Sequence, residues 1–111
     1  MKKTVSITEN KDFKRLYYRG KSTANECLAV YWRRSGGKGC RLGITVSGKI
    51  GKAVVRNRIR RLIRESYRLM EDRVLPGYDI VIVARGRAAS ADYRYVSSSL
   101  ERAFLKSGLI K

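Results

Sequence analysis

The chain has 111 residues, of which 26 are lysine or arginine and nine are aspartate or glutamate, so its net charge at pH 7 is +17. This length predicts one domain spanning residues 1–111, and so large a positive charge predicts a strongly anionic partner. Residues 1–5 lack the hydrophobic region of a signal peptide, and no run approaches about 18 consecutive apolar residues, so nucleic acid is favoured over membrane and a cytoplasmic location is expected.

Side chains suited to acid–base or metal chemistry are scarce. The sequence has no histidine, and its two cysteines, Cys27 and Cys40, lack the spacing of zinc ligands. Because histidine is the usual general acid or base near neutral pH, only scattered carboxylates remain for that role. We expect both cysteines to be reduced core thiols, and we expect hydrolysis by the protein alone to be disfavoured.

The first predicted element is a helix. Asn10 can cap it, Asp12 lies near its positive end, and Gly20 can stop it after about Arg19. By periodicity alone, Phe13, Leu16 and Tyr17 would all face the core.

Two strands are predicted next. Residues 26–33 alternate in polarity, which puts Leu28, Val30 and Trp32 on a core-facing side and Cys27, Ala29 and Tyr31 on the other. A glycine-rich turn at 35–39 precedes a second strand at about 40–46. We expect the two strands to pair as an antiparallel hairpin.

A helix rich in arginine is predicted over about 53–72, ending before Pro76 and Gly77. At 100° per residue, one arc of this helix is suited to core packing; it comprises Val55, Ile59, Leu62, Ile63, Ser66, Tyr67, Leu69 and Met70. The opposite arc is cationic: Arg56, Arg60 and Arg64 form one row and Asn57, Arg61, Arg64 and Arg68 the next, while Arg58 lies off both rows.

This one-sided charge favours a polyphosphate ligand. Solvated helices usually mix signs, whereas here Glu65 is the only acid near enough to relieve the repulsion between arginines one turn apart. Arginine also forms forked contacts to phosphate. The preceding glycine-lysine run at 48–52, which includes Lys49 and Lys52, resembles part of a nucleotide-binding P-loop. That motif needs a glycine five residues before its Gly-Lys pair and Ser or Thr after it, and Val46 and Ala53 occupy those positions.

The remaining elements are a strand and a helix. Residues 78–84 form a nearly continuous apolar run, typical of a central strand covered on both faces. Ser90 or Asp92 can cap a final helix to about Lys106, whose buried stripe comprises Val96, Leu100, Ala103 and Phe104. The elements together predict an α+β fold, a single two-layer α-β sandwich with one small mixed sheet and about three helices.

The motif at 51–65, GKAVVRNRIRRLIRE, resembles the signature of the protein subunit of bacterial ribonuclease P. The segments at 12–17, 41–47 and 79–85 also fit that family in order and spacing. The resemblance implies a left-handed crossover between parallel strands, against the usual preference. It also implies a protein cofactor that helps a catalytic RNA, using Mg²⁺ bound mainly through that RNA, to remove the 5′ leader from precursor tRNA; the protein alone would be inert.

The resemblance also implies two sets of site residues. Catalytic RNA would contact the arginine helix at Arg56, Asn57, Arg58, Arg60, Arg61, Arg64 and Arg68, supported by Lys49 and Lys52. The leader would bind a cleft lined by Phe13, Tyr17 and Tyr31, because stacking on aromatic rings tolerates any base sequence. This implication runs against the core placement of Phe13 and Tyr17 that periodicity favours.

Two other functions fit the same basic surface. A ribosomal-type RNA-binding protein or RNA chaperone would show no preference for precursor over mature tRNA. A protein nuclease would need carboxylates gathered around a metal, for which Glu65, Glu71 and Asp72 are candidates.

Overall fold

The computed structural model describes residues 3–111; Met1 and Lys2, at the start of the stretch expected to lack a signal region, lie outside it. The strands are β1 Thr4–Ser6, β2 Lys21–Ala24, β3 Leu28–Arg34, β4 Cys40–Thr45 and β5 Tyr78–Ala84. The helices are α1 Asn10–Arg19, α2 Ala53–Met70 and α3 Tyr93–Ser107. Within this range no helix is long and apolar enough to cross a membrane.

The sheet is mixed, in the order β1-β4-β5-β3-β2, with β5 at its centre. Strand β5 runs parallel to β4 and antiparallel to β3, which confirms the central strand expected from its apolar run. Strands β4 and β5 are consecutive in the chain apart from α2, so the expected crossover between parallel neighbours is present. Its left hand stays an expectation from the resemblance.

The predicted hairpin of β3 and β4 is wrong. Both strands exist, but β5 lies between them and pairs with each. The turn at 35–39 spans the start of β5, since the Ser35 amide donates to the Gly77 carbonyl and the Gly77 amide to the Gly39 carbonyl. The apolar run of β5 can be buried on both faces only at the centre of the sheet. Strand β5 therefore takes the place between β3 and β4, and these two strands do not pair with each other.

Two hydrophobic clusters lie on opposite faces of the sheet. Ile80, Ile82 and Ala84 of β5 join α2 and α3 in the main core, while Val81 packs with Ile7 and Leu16 under α1. The α+β class with one mixed sheet and three helices is therefore confirmed, and α1 adds a thin layer on the face away from the main core.

The helix predictions hold with small shifts. Glu9, not Asn10, is the N-cap of α1, and no side chain caps it. Helix α2 ends at Met70, before a short 3₁₀ turn. Asp92 caps α3 by accepting from the Tyr95 amide, and the expected stripe of α3 is buried. Leu69 is 62% exposed, because it lies about 100° from Met70 and so outside the narrower arc that α2 buries.

Cys27 does not share a face with Tyr31. It precedes β3 in a turn in which the Asn25 side-chain oxygen accepts from the Cys27 and Leu28 amides, so strand alternation does not reach it. Cys27 is buried in the main core, and burial raises the pKa of its thiol. Both cysteines are free and buried, as expected.

Candidate nucleic-acid interface

The outward face of α2 carries arginines with no acidic partner. Among residues 3–111, Arg56, Arg60, Arg61 and Arg64 form no ion pair. Two of them are oriented by short-range bonds: Arg56 donates to the Gly51 carbonyl at 3.2 Å, and Arg60 donates to the Asn57 side-chain oxygen at 3.0 Å. We call Arg56, Arg60 and Arg64 the arginine stripe.

The start of α2 is also positive. Its N-cap is Lys52, no side chain caps its free amides, and its first turn has no acid. Lys49 is exposed in the preceding 3₁₀ turn. Because a helix N-terminus favours negative charge, cations placed there destabilise the isolated protein and suit a phosphate ligand.

Arg68 differs from the rest of the predicted RNA-contact set. Its guanidinium pairs with Glu65 on the same helix, with an Nε to Oε2 distance of 3.1 Å. This contact lowers the pKa of the exposed Glu65 carboxyl. The charge of Arg68 is thus partly neutralised within the protein, whereas the stripe is not.

Arg58 faces away from the stripe, as its position on the helix predicted. Its two terminal nitrogens donate to the Ala89 and Ala91 carbonyls, each at 2.8 Å. These carbonyls belong to the segment between β5 and α3, which also exposes Arg87. Arg58 therefore joins α2 to this segment, and its contact with catalytic RNA stays a prediction.

We expect Arg58→Ala to destabilise the fold by about 1–2 kcal/mol, because two carbonyls lose a charged donor at a half-buried site. Urea unfolding followed by circular dichroism measures this change. Arg61→Ala is the matched control: it removes an exposed arginine of the same helix and should leave the unfolding free energy within about 0.5 kcal/mol. Equal stabilities of the two variants would contradict the structural role of Arg58.

The three predicted leader-binding aromatics form one surface, the aromatic cleft of Phe13, Tyr17 and Tyr31. The rings of Tyr17 and Tyr31 meet edge to face at 5.0 Å between centroids, and Phe13 lies 6.5 Å from Tyr17. The Tyr17 hydroxyl is bonded to the Thr45 hydroxyl at 2.9 Å. Tyr17 is 37% exposed, whereas Phe13 and Tyr31 are half-buried against the small cluster under α1. Periodicity alone therefore misplaced Tyr17 but placed Phe13 partly right.

Gly43 of β4 makes room for Phe13. A Cβ atom at position 43 would come within 2.5 Å of the Phe13 ring. The absence of a side chain lets the ring lie against the strand, which sets the floor of the aromatic cleft. Sequence reasoning placed Gly43 only within a motif and gave it no role.

Gly43→Ala should therefore push Phe13 out into the aromatic cleft. We expect leader-dependent affinity to fall several-fold while stability falls by about 1–2 kcal/mol, the usual cost of overpacking. The difference in binding free energy between precursor tRNA and mature tRNA isolates the effect on leader binding. Gly48→Ala is the control, since nothing lies within 4 Å of a Cβ there.

The arginine stripe and the aromatic cleft share one depression. A cavity of about 160 Å³ is lined by Arg60 and Arg64 of the arginine stripe and by Phe13 of the aromatic cleft, together with Gly43. This is possible because β1 pairs with β4 only as far as Leu42, which leaves the rest of that edge of β4 open to α2 side chains. The two predicted sites are thus neighbours around one sheet edge.

A partly buried ion cluster fixes α1 above the sheet. Arg41 of β4 donates to both Asp79 oxygens at 2.9 and 2.6 Å and to Asp12 of α1 at 3.2 Å. These two carboxylates raise the pKa of the Arg41 guanidinium. Sequence reasoning missed this role, although all three residues lie in the motifs that carry the resemblance.

The relatives of this chain described next share one name. The family model described as Ribonuclease P matches residues 1–108. A "Ribonuclease P protein component" of Caldanaerobacter subterraneus subsp. tengcongensis is 42% identical over 107 residues, covering 96% of this chain and 92% of that protein. One of Clostridium botulinum is 42% identical over 108 residues, covering 96% and 97%.

Two solved structures of proteins with this name have the same fold. The RNase P protein of Staphylococcus aureus superimposes with a TM-score of 0.89 at 36% identity, covering 96% of this chain and 97% of that one. The RNase P protein from Thermotoga maritima superimposes with a TM-score of 0.80 at 33% identity, covering 87% and 92%.

Proposed function

Because the chain belongs to the ribonuclease P protein family, we propose that its arginine stripe binds the catalytic RNA and its aromatic cleft binds the 5′ leader of precursor tRNA. Family membership makes the protein a cofactor within a ribonucleoprotein endoribonuclease and favours this function over that of a general RNA chaperone. Hydrolysis is left to the RNA and its Mg²⁺; the protein's residues bind and orient.

The observation that carries the proposal is the shared depression. Arg60 and Arg64 form no ion pair in the described part of the chain, and Phe13 lines the same cavity. One edge of the sheet therefore presents forked cations beside a stacking surface. Such a junction can hold two RNA strands side by side, a structured one on the stripe and a single strand in the cleft.

The surplus charge explains why a protein would help an RNA catalyst. Catalytic RNA and precursor tRNA are both polyanions and repel each other, and Mg²⁺ is one way to screen them. A protein of net charge +17 placed between them supplies part of that screening. The complex should therefore cleave at lower Mg²⁺ than the RNA alone.

A cleavage assay on precursor tRNA tests the function directly. The protein alone should be inactive, the RNA alone should act only at high Mg²⁺, and the two together should act at near-physiological Mg²⁺. Substituting Glu65, Glu71 and Asp72 by alanine in the complex should leave cleavage intact. Cleavage by the protein without RNA, or no change in the Mg²⁺ requirement, would contradict the proposal.

Tyr17→Ala should weaken precursor tRNA binding by about tenfold, within the roughly 1–3 kcal/mol that one base–aromatic stack contributes. Mature tRNA binding should not change. Tyr17→Phe keeps the ring and loses only the bond to Thr45, so it should stay near wild type. Loss of several kcal/mol of folding stability in Tyr17→Ala would instead make Tyr17 a core residue.

A further inference from the structure

A second depression lies on the other flank of α1 from the aromatic cleft. The sheet register sets Arg33 of β3, Asp79 of β5 and Arg41 of β4 in one row. Arg15 and Arg34 complete a cavity of about 450 Å³ together with this row. We call Arg15, Arg33, Arg34 and Arg41 the arginine basin.

The positive charge of the arginine basin is only partly neutralised within the protein. Asp79 is the only acid lining it, and Arg41 occupies both of its oxygens. Arg15 is held only loosely by Asp12, at 3.8 Å, and Arg33 pairs with no acid in the described part of the chain. Convergent guanidinium groups in this state suit phosphate oxygens.

Aromatic rings continue the basin along the end of the sheet. An adjoining cavity of about 300 Å³ shares Arg33 and Arg34 and adds Trp32, Tyr78, Arg19 and Lys21. The Arg34 guanidinium lies 5.6 Å from the centre of the Tyr78 ring. Cations interleaved with aromatic rings are typical of surfaces that bind single-stranded nucleic acid, whose bases are free to stack.

Tyr18 links the two flanks of α1. At 100° per residue, Phe13 and Tyr17 point to the cleft, Arg15 and Arg19 point to the basin, and Tyr18 lies on the crest between them. Its side chain is 86% exposed and belongs to neither hydrophobic cluster. An unpacked aromatic at this point offers a stacking surface to a strand crossing the helix.

We propose that the arginine basin binds phosphates of the upstream part of the leader, after the strand has left the aromatic cleft and crossed α1 at Tyr18. This inference rests on the proposed function and extends it to a longer stretch of the same single strand. Neither the stripe nor the cleft depends on it.

The test uses the complete ribonucleoprotein and precursor tRNAs whose leaders are lengthened one nucleotide at a time. The affinity of the wild-type complex for precursor tRNA should keep rising with leader length. The affinity of the double variant Arg33→Ala with Arg34→Ala should stop rising at a shorter leader. For long leaders the double variant should bind on the order of tenfold more weakly, with a salt slope lower by about 0.7 per lost phosphate contact. In Tyr18→Ala the affinity should likewise stop rising at a shorter leader, but the salt slope should not change, because this substitution removes stacking and no charge.

The matched control is Arg94→Ala with Arg102→Ala, which removes two exposed arginines from α3 on the opposite face. It should follow the wild-type curve at every length. A basin variant that loses affinity equally at all lengths, or loses affinity for catalytic RNA, would overturn the proposal, as would an unaltered curve. A wild-type curve that is flat from the shortest leader would refute the aromatic cleft itself, whereas one that stops rising once the cleft is filled would refute only the basin.

Discussion

Replacing Arg60 and Arg64 together by alanine should weaken binding of the catalytic RNA by on the order of a hundredfold. Each arginine is free of acidic partners, so each can make a charge-assisted bond to phosphate worth about 1.5 kcal/mol, and two such bonds amount to about a hundredfold. The slope of log affinity against log salt should fall by about 0.9 for each lost contact to duplex RNA.

The fold should tolerate this change, because neither side chain contributes to the hydrophobic clusters. Thermal melting of the free variant checks that point. The α3 pair Arg94 and Arg102 again provides the control for loss of charge alone. An unchanged salt slope in the stripe variant would place the catalytic RNA elsewhere on the protein.

Arg41→Ala should be the most destabilising single substitution considered, at about 2–3 kcal/mol. It leaves the buried Asp79 without its cation and the buried Asp12 with only the more distant Arg15, which costs more than removing a surface pair, although water at the half-exposed Arg41 reduces the penalty. Urea unfolding measures the loss. Because Asp12 holds α1 through Arg41, leader affinity should fall in the same variant even under conditions in which it is folded.

Arg41→Lys separates charge from geometry. A lysine keeps the positive charge but cannot fork to both Asp79 oxygens while reaching Asp12. We expect an intermediate stability, with leader affinity still reduced because α1 is held less firmly. Full recovery of both properties in the lysine variant would mean that charge alone is sufficient.

Local pattern was enough to locate the main elements but not to arrange them. The apolar run of β5 and the periodicity of α2 and α3 reflect burial, which each residue records in its own type. Pairing partners are not recorded in this way: β3 and β4 are adjacent in sequence, yet each pairs with β5. The edge strands β1 and β2 went unpredicted because they are short and mostly exposed, so alternation leaves little trace in them.

The site divides along the same line. The one-sided charge of α2 was visible in sequence because it repeats at helical spacing. The partners of Arg58 are backbone carbonyls 31 and 33 residues away, which no spacing rule reveals. The position of Phe13 likewise depends on Gly43, a contact made only after α1 has docked on the sheet. The contiguity of the aromatic cleft was expected from family resemblance and not from periodicity.

The central position of β5 has a consequence for synthesis on the ribosome. A nascent chain that ends before β5 has emerged contains β3 and β4 but not the strand that both must pair with, so its sheet cannot close. Pairings such as Leu28 with Ala84 raise the contact order and slow folding. Until β5 has emerged, the edges of β3 and β4 that it will cover are open. The mutual repulsion of the many cationic side chains discourages such unfinished chains from associating.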